Sequence, residues 1–195
     1  MPRIGKISRK TGETDIRVEV NLDGSGSADI STGIGFFDHM LTALAKHSLI
    51  DLTVEAKGDL HVDQHHLVED TGICIGEALA GALGDKQSIH RFGWAFCPMD
   101  EALTRVVIDL GGRPHFIWQF SNNLTATGEF QSETVPEFFQ ALAIGSKMNL
   151  HMDLIRGRNL HHCVESLFKS FAKALEQAVS ISDRATAIPS TKGVL

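Results

Sequence analysis

The stretch His65-His66-Leu67-Val68-Glu69 recurs 96 positions later as His161-His162-Cys163-Val164-Glu165, in a chain of 195 residues. Each copy is followed by an apolar run with helical spacing, which predicts that both motifs lie on helices. On such a helix His65 and Glu69 share one face, whereas His66 points about 100° away. Because neighbouring histidines cannot easily bind one ion, the doubled motif predicts two metal sites that each take ligands from several helices.

A second pair of matching segments lies upstream of the two motifs. Residues 39–45 align with residues 137–143, so that His39 corresponds to Glu137. Taken alone, each of these residues has an explanation other than metal binding. His39 is typical of a helix end, and Glu137 of an acid that a helix N-terminus favours. A His-His pair is typical of a solvated helix face. The repetition favours the metal interpretation for eight side chains: His39, His65, His66, Glu69, Glu137, His161, His162 and Glu165.

The rest of the chain repeats with the same period. Alternating apolar and polar residues predict strands, and apolar residues spaced by three or four predict helices. Both halves then read βββαβα. In the first half the strands are at 3–9, 14–22, 27–31 and 49–56 and the helices at 36–47 and 65–83; in the second the strands are at 91–97, 104–110, 113–120 and 150–155 and the helices at 133–148 and 161–179. Residues 121–132 and the C-terminal tail are predicted to be irregular.

This repeat predicts an α+β fold. Each half is expected to form a four-stranded sheet with two helices on one face. Residues 1–90 form the first half, and residues 91–195 form the second half with its tail. The two halves together are expected to make one catalytic domain.

Composition excludes several functions. The chain is 43% apolar, carries a net charge of −6 and has no basic block, so nucleic acid is not an expected partner. No run of eighteen apolar residues predicts a membrane span, and no apolar segment near the N-terminus predicts a secretory signal. Three widely spaced cysteines favour a reducing compartment, and we expect a cytoplasmic protein.

The eight candidate ligands define the kind of metal. Four nitrogen and oxygen donors per ion suit Mn, Fe, Co, Ni or Zn rather than a structural zinc site built from cysteines. Four protein ligands on an octahedral ion leave two positions open, as a catalytic ion requires. Because adjacent histidines diverge, at least one of each pair is expected to meet ligands of another helix or another subunit. We therefore predict sites at subunit interfaces.

Cationic side chains offer a place for an anion. Lys169 lies four residues after Glu165, and is as well explained by an ion pair with Glu165 as by a ligand role. Hydroxyls, a cation and a flexible glycine in the segment 190–193 suit an anion, although such tails are common. The candidates are Arg91, Arg113, Lys169, Ser190 and Lys192.

Several of these motifs, in order and over nearly the whole chain, resemble the imidazoleglycerol-phosphate dehydratase family. The segments that carry the resemblance are Thr11-Gly12-Glu13-Thr14, Phe36-Phe37-Asp38-His39-Met40-Leu41, His65-His66 with Glu69-Asp70, Ala82-Leu83-Gly84-Asp85-Lys86, Met99-Asp100-Glu101, His161-His162 with Glu165 and Phe168-Lys169, and Pro189-Ser190-Thr191-Lys192-Gly193.

The resemblance implies an activity, a cofactor and an assembly. The activity is dehydration of D-erythro-imidazole glycerol phosphate to imidazole acetol phosphate in histidine biosynthesis, through an imidazolate held between two Mn²⁺ ions. The implied fold is of the ribosomal S5 domain 2-like type with left-handed βαβ crossovers, in an assembly of 24 identical chains. The family's metal ligands fall on the eight side chains above, its phosphate contacts on the five cationic and hydroxyl residues above, and its catalytic acid/base on Glu13.

Two positions depart from the family pattern, and two other functions remain open. Many relatives have His where this chain has Glu137, and Gln where it has Ala43. Glu137 can still bind a metal but adds a negative charge, and Ala43 cannot make a contact that a Gln makes. The alternatives to a metal-dependent lyase are a metal-storage protein, which needs neither Glu13 nor the cations, and a dinuclear phosphoesterase.

Overall fold

The first half of the chain folds as a strand-rich unit followed by a long helix. A computed structural model describes residues 2–120 and 126–195. Its first six elements are β1 (Ile4–Lys10), β2 (Thr14–Asn21), β3 (Ala28–Ser31), α1 (Gly35–Ser48), β4 (Asp51–Gly58) and α2 (His65–Leu83). The predicted order βββαβα is confirmed for this half.

The second half repeats that order with one addition. Its elements are β5 (Phe92–Met99), β6 (Ala102–Asp109), β7 (His115–Gln119), β8 (Ala126–Thr127), β9 (Phe130–Gln131), α3 (Thr134–Ser146), β10 (Asn149–Arg156) and α4 (Leu160–Val179). The prediction of an irregular segment at 121–132 is wrong for residues 126–131, which form the β8–β9 hairpin. Strands of two residues are too short to show alternation, and residues 121–125 lie outside the described part.

The two sheets have the same topology. Their strand orders are β1-β2-β4-β3 and β5-β6-β10-β7. In each sheet the last two strands are parallel and are joined through one helix, α1 in the first and α3 in the second, while the other neighbours are antiparallel. The predicted α+β class with repeated halves is confirmed, and the left-handed sense of the crossovers stays a prediction.

Alternation along the strands directs one face of each sheet to the helices. In β2, Ile16, Val18 and Val20 are buried, and the residues between them are more exposed. In β6, Val106 and Ile108 are fully buried in the same way. This period of two gives each sheet one apolar face, and burial of that face against helices is the main source of its stability.

The helices pair across the two halves. Helix α1 packs on α4, and α2 packs on α3, while α2 also covers β1 and β2 and α4 covers β5 and β6. A single apolar core cluster contains residues of both halves. The α2–α3 contact is close, because a Cβ atom on Gly72 would lie 2.5 Å from the carbonyl oxygen of Phe138.

Two expectations drawn from composition concern membranes and cysteines. In the part of the chain that the structure describes, no helix is long and apolar enough to cross a membrane. The three cysteines, all within the described ranges, form no disulfide. Cys74 and Cys163 are buried, as expected for small apolar side chains of a core.

Candidate metal and anion sites

Helices α1 and α4 bring three of the predicted ligands together. One possible ligand atom from each of His39, His161 and Glu165 lies within 4.8 Å of the other two. His161 and Glu165 are one turn apart, with 3.1 Å between Nε2 and Oε2, and His39 Nε2 approaches the same oxygen at 3.4 Å. The Asn159 side chain caps the start of α4 by accepting the His162 N–H, which fixes where that turn begins. These three residues are called the α1–α4 group below.

The Glu165 carboxylate is buried but ionised. Burial by itself raises its pKa, and the hydrogen bonds and charge of Lys169, His161 and His39 more than offset this, so that the net pKa is lowered. Lys169 Nζ lies 2.7 Å from the second carboxylate oxygen. The predicted ion pair between these residues is therefore present, and the ionised carboxylate has the charge state that a metal ligand needs.

Helix α2 carries the other copy of the motif. His65 Nε2 lies 3.6 Å from Glu69 Oε2, so the pair shares a helix face as predicted. Glu137 stands half-buried in the first turn of α3, which packs along α2. Among the described residues, however, Glu137 joins no compact group of three ligands.

The neighbouring histidines diverge, as their helical spacing predicts. The rings of His65 and His66 are inclined by 82°, and those of His161 and His162 by 87°. His66 Nδ1 lies 3.1 Å from an Asp59 oxygen, and His162 Nδ1 lies 2.8 Å from Glu101 Oε2. Within one chain these two histidines therefore face carboxylates of loops rather than the other candidate ligands.

Both carboxylate contacts shift the pKa of the imidazole. The hydrogen bond with Asp59 raises the pKa of His66, and the hydrogen bond with Glu101 raises that of His162. In return, His162 and two backbone N–H groups lower the pKa of Glu101 to about 2. Glu101 is thus committed as an ionised hydrogen-bond acceptor at neutral pH.

Glu13 lies beside the α2 motif. It is in the turn between β1 and β2, its side chain is 57% exposed, and its Oε2 lies 3.9 Å from His66 Nδ1. That separation is beyond hydrogen-bond distance. The structure therefore places Glu13 near a predicted metal ligand while leaving its carboxylate accessible.

Four of the five predicted anion contacts line one pocket. A cavity of about 490 Å³ between the start of β5, the segment after β6 and the C-terminal tail is lined by Arg91, Arg113, Ser190 and Lys192. Asp109 accepts two hydrogen bonds from the Arg91 guanidinium, at 2.6 and 3.1 Å, and raises the pKa of Arg91. A further Arg91 N–H donates to the Pro189 carbonyl at 2.8 Å, which holds the tail against the pocket.

The fifth residue and the metal candidates lie elsewhere. Lys169 pairs with Glu165 of the α1–α4 group. The residues that line the pocket include none of the eight predicted metal ligands. Within one chain, the histidine–carboxylate groups and the cationic pocket thus belong to different surfaces.

Sequence reasoning missed the carboxylates that face His66 and His162. Asp59 belongs to neither histidine motif, and Glu101 is part of the segment Met99-Asp100-Glu101 without a predicted role. A signal for Glu101 existed: it occupies, in the turn between β5 and β6, the place that Glu13 occupies between β1 and β2. The alignment of the two hairpins, in addition to that of the two histidine motifs, predicts this position. Asp59 has no such counterpart in the second half.

The fold and these sites define a class: a repeated α+β chain that combines histidine–carboxylate groups with a cationic pocket. The family model described as imidazoleglycerol-phosphate dehydratase matches residues 32–175. An imidazoleglycerol-phosphate dehydratase of Roseobacter denitrificans is 57% identical over 99% of this chain and 100% of its own length, and one of Clostridium kluyveri is 53% identical with the same coverage.

Solved structures agree with these matches. An imidazoleglycerol-phosphate dehydratase of Staphylococcus aureus superposes with a TM-score of 0.81 at 39% identity, covering 92% of this chain and 99% of its own. One of Pyrococcus furiosus, in complex with (S)-C348, superposes with a TM-score of 0.82 at 38% identity, covering 97% of this chain and 100% of its own. The chain belongs to the imidazoleglycerol-phosphate dehydratase family, which is a family of hydro-lyases.

Proposed function

We propose that this chain removes water from D-erythro-imidazole glycerol phosphate to give imidazole acetol phosphate, a step of histidine biosynthesis. The observation that carries the proposal is the α1–α4 group, where three side chains distant in sequence bring possible ligand atoms within 4.8 Å of one another. Family membership supplies the substrate class. The cationic pocket supports a substrate with a phosphate group.

The donor chemistry of the α1–α4 group fits a divalent transition metal. Two imidazole nitrogens are borderline donors and a carboxylate oxygen is a hard donor, and this mixed set suits Mn²⁺ as well as Fe²⁺, Co²⁺ or Zn²⁺. Two bound ions would supply Lewis-acid stabilisation of the substrate ring as an imidazolate. Of the proposed ligands, His39, His161 and Glu165 would serve one ion. The corresponding helix pair, α2 and α3, carries His65, Glu69 and Glu137. The two remaining ligands, His66 and His162, are the histidines that diverge from the first histidine of each motif.

We further propose that another copy of the chain completes each site. The α1–α4 group supplies three of the four protein donors expected for each ion, and the cationic pocket shares no lining residue with the metal candidates. Strand β5 also exposes Phe92, Trp94 and Phe96, which suits burial between subunits. These features support a homo-oligomer with sites at its interfaces, and family resemblance suggests 24 chains.

The substrate phosphate would bind in the cationic pocket. Asp109 and the Pro189 carbonyl hold the Arg91 guanidinium in place, while Arg113 is exposed. A fixed guanidinium beside exposed cations suits an anion with several oxygens. Lys169 lies outside this pocket, and its ammonium is already paired with the Glu165 carboxylate at 2.7 Å.

Glu13 is the proposed acid/base. Dehydration removes a hydroxyl from one carbon and a proton from the next, and it needs a carboxylate that can exchange protons with both. Glu101 is less suited to this role, because its carboxylate already accepts hydrogen bonds from His162 and two backbone N–H groups. The exposed Glu13 carboxylate, 3.9 Å from His66, can reach a bound molecule.

Turnover separates this proposal from its alternatives. Chelated protein would be given imidazole glycerol phosphate with and without Mn²⁺, while ketone product and free phosphate are read together. We expect Mn²⁺-dependent ketone without phosphate release. Phosphate release would instead indicate a phosphoesterase, and no product from protein that binds two ions per chain would indicate metal storage. The Glu13→Gln variant should bind the same metal but lose about 100-fold or more in kcat.

A further inference from the structure

The turn that carries Glu13 is held through its backbone. Thr11 N–H donates to the Thr14 carbonyl at 2.8 Å. The Thr11 hydroxyl accepts the N–H groups of Glu13 at 3.1 Å and of Thr14 at 3.0 Å. These bonds fix the backbone on both sides of Glu13 and use none of its carboxylate.

The same turn is tied to helix α2 by a buried carboxylate. Thr14, 4% exposed, donates its hydroxyl hydrogen to Asp70 Oδ2 at 2.5 Å, and Arg9 lies 3.1 Å from the other Asp70 oxygen. The hydroxyls of Thr11 and Thr14 are 3.2 Å apart. Because Thr14 has given its one hydrogen to Asp70, the Thr11 hydroxyl is the donor in that contact.

The hydrogen bonds therefore form one directed chain. It runs from the Glu13 N–H through the Thr11 and Thr14 hydroxyls to Asp70. Its last bond ends on a carboxylate with little access to water, and such charge-assisted bonds are stronger than neutral ones. Asp70 follows Glu69 on the helix that also carries His65 and His66, so the chain connects the Glu13 turn to the metal-ligand helix.

The second half of the protein holds its matching turn differently. Asp70 corresponds to Ser166, which donates to the Cys97 carbonyl at 2.6 Å and lies 2.9 Å from the Thr104 hydroxyl. There the Glu101 carboxylate itself accepts His162 and two backbone N–H groups. In the first half, a helix carboxylate, that of Asp70, anchors the turn, and the Glu13 carboxylate of the turn takes no part. In the second half, the turn's own carboxylate, that of Glu101, is the hydrogen-bond acceptor.

From this contrast we propose that Thr14 and Asp70 are positioning residues. They hold Glu13 beside the α2 ligands, in the position from which it exchanges protons with the substrate. The inference rests on the proposed function, since it takes Glu13 as the acid/base. Without the link to Asp70, the turn would keep its internal hydrogen bonds but lose its fixed place beside His66. Misplacement of a reacting group by about 1 Å can lower a rate about 100-fold.

Variants at Thr14 test the chain with little change of shape. Thr14→Val is isosteric and removes the hydroxyl, whereas Thr14→Ser keeps it. We expect Thr14→Val and Asp70→Asn to lower kcat about tenfold or more, with KM changed less than about threefold, and Thr14→Ser to retain most of the activity. Asp51→Asn is the matched control, because Asp51 accepts backbone N–H groups of the turn at the opposite end of β2.

A double variant separates positioning from general damage. If Thr14 acts through Glu13, Thr14→Val should cause little further loss on a Glu13→Gln background. Equal losses on both backgrounds, or a Thr14→Val variant with the kcat of the unmodified chain, would overturn the proposal.

An activity-independent measurement keeps the two proposals apart. Amide hydrogen exchange of residues 10–16 should be faster in Thr14→Val and Asp70→Asn than in the unmodified chain and in Asp51→Asn. Unmodified protein that fails to convert the substrate would refute the proposed function. In that case faster exchange would still support the anchored turn, and unchanged exchange would refute it.

Discussion

The two oxygens of the Glu165 carboxylate serve different partners. Oε2 faces His39 and His161, whereas Oε1 faces Lys169. One oxygen thus belongs to the proposed metal site and the other to a cation that neutralises the buried charge. Loss of one imidazole should consequently weaken metal binding without leaving Glu165 as an unpaired buried charge.

His161→Gln tests this arrangement. Affinity for Mn²⁺ at the α1–α4 group should fall by about 10- to 100-fold or more, because the nitrogen donor is replaced by a weaker amide ligand. Metal content after dialysis, measured by elemental analysis, reports the loss. His151→Gln is the control, since His151 is exposed on β10 and belongs to no candidate site. Equal metal content in both variants would contradict the assignment.

Asp51 provides a pH-dependent test of stability. Hydrogen bonds from the Ser25 and Ser27 backbone lower the pKa of Asp51 below the ordinary value of 3.8. A carboxyl with a lowered folded-state pKa stabilises the fold above its unfolded pKa, and that contribution disappears as pH falls through the folded value.

Asp51→Asn should therefore lower the free energy of unfolding by about 1 kcal/mol at pH 6 to 7. The difference from the unmodified chain should shrink below about pH 4 and vanish at still lower pH. Urea unfolding at a series of pH values measures it. A difference that stays constant down to pH 2 would show that the carboxylate charge is not its source.

Local spacing made some of these residues predictable. His161 and Glu165 meet because they are one turn apart on one helix, and any helix with that sequence pairs them. Glu101 is predictable from the alignment of the two hairpin turns. Asp59 is not, because it reaches His66 from a loop whose position depends on the whole fold. For the same reason the sequence could not show whether Lys169 faces Glu165 or a phosphate.

At the level of elements, small residues set the distance between α2 and α3. The Cβ that any other residue would add at Gly72 meets the Phe138 carbonyl oxygen at 2.5 Å, and at Gly76 it meets that of Leu142 at the same distance. The helix that carries His65 and Glu69 thereby comes close to the helix that carries Glu137. A wider separation would move the two ligand-bearing faces apart.

Gly72→Ala should destabilise the fold by about 1 to 3 kcal/mol through overpacking. Gly81→Ala on the same helix is the matched control, because among the described residues its Cβ would meet only Gly5 Cα, at 3.9 Å. There the better helix propensity of alanine should be neutral or stabilise by up to about 1 kcal/mol. Denaturant unfolding of both variants measures the contrast, and equal effects would refute close helix approach as the cause.

Periodicity predicted the order of the long elements but neither the β8–β9 hairpin nor the pairing of helices. Apolar alternation over eight residues marks a strand such as β2, whereas two-residue strands carry no period. Periodicity also shows which face of a helix is buried without showing against what. That α1 packs on α4, and α2 on α3, follows from the tertiary fold.

For the whole molecule, the proposed sites connect metal binding to assembly. If donors from neighbouring copies complete each ion's coordination, metal contributes to the stability of the oligomer. Chelation should then lower the mass measured by light scattering, and added Mn²⁺ should restore it. Elemental analysis of the same samples must show emptied sites. An unchanged mass with emptied sites would contradict interface sites.

The pairing of helices across the halves also suggests how such a chain could arise. A single half that associated with a copy of itself about a two-fold axis would form an α1–α4 and an α2–α3 type pair at once. Duplication and fusion of the gene for that ancestor would therefore join ligand groups that already existed. Once fused, the two groups could diverge separately. The repeat illustrates this, because the position that is histidine at residue 39 is glutamate at residue 137.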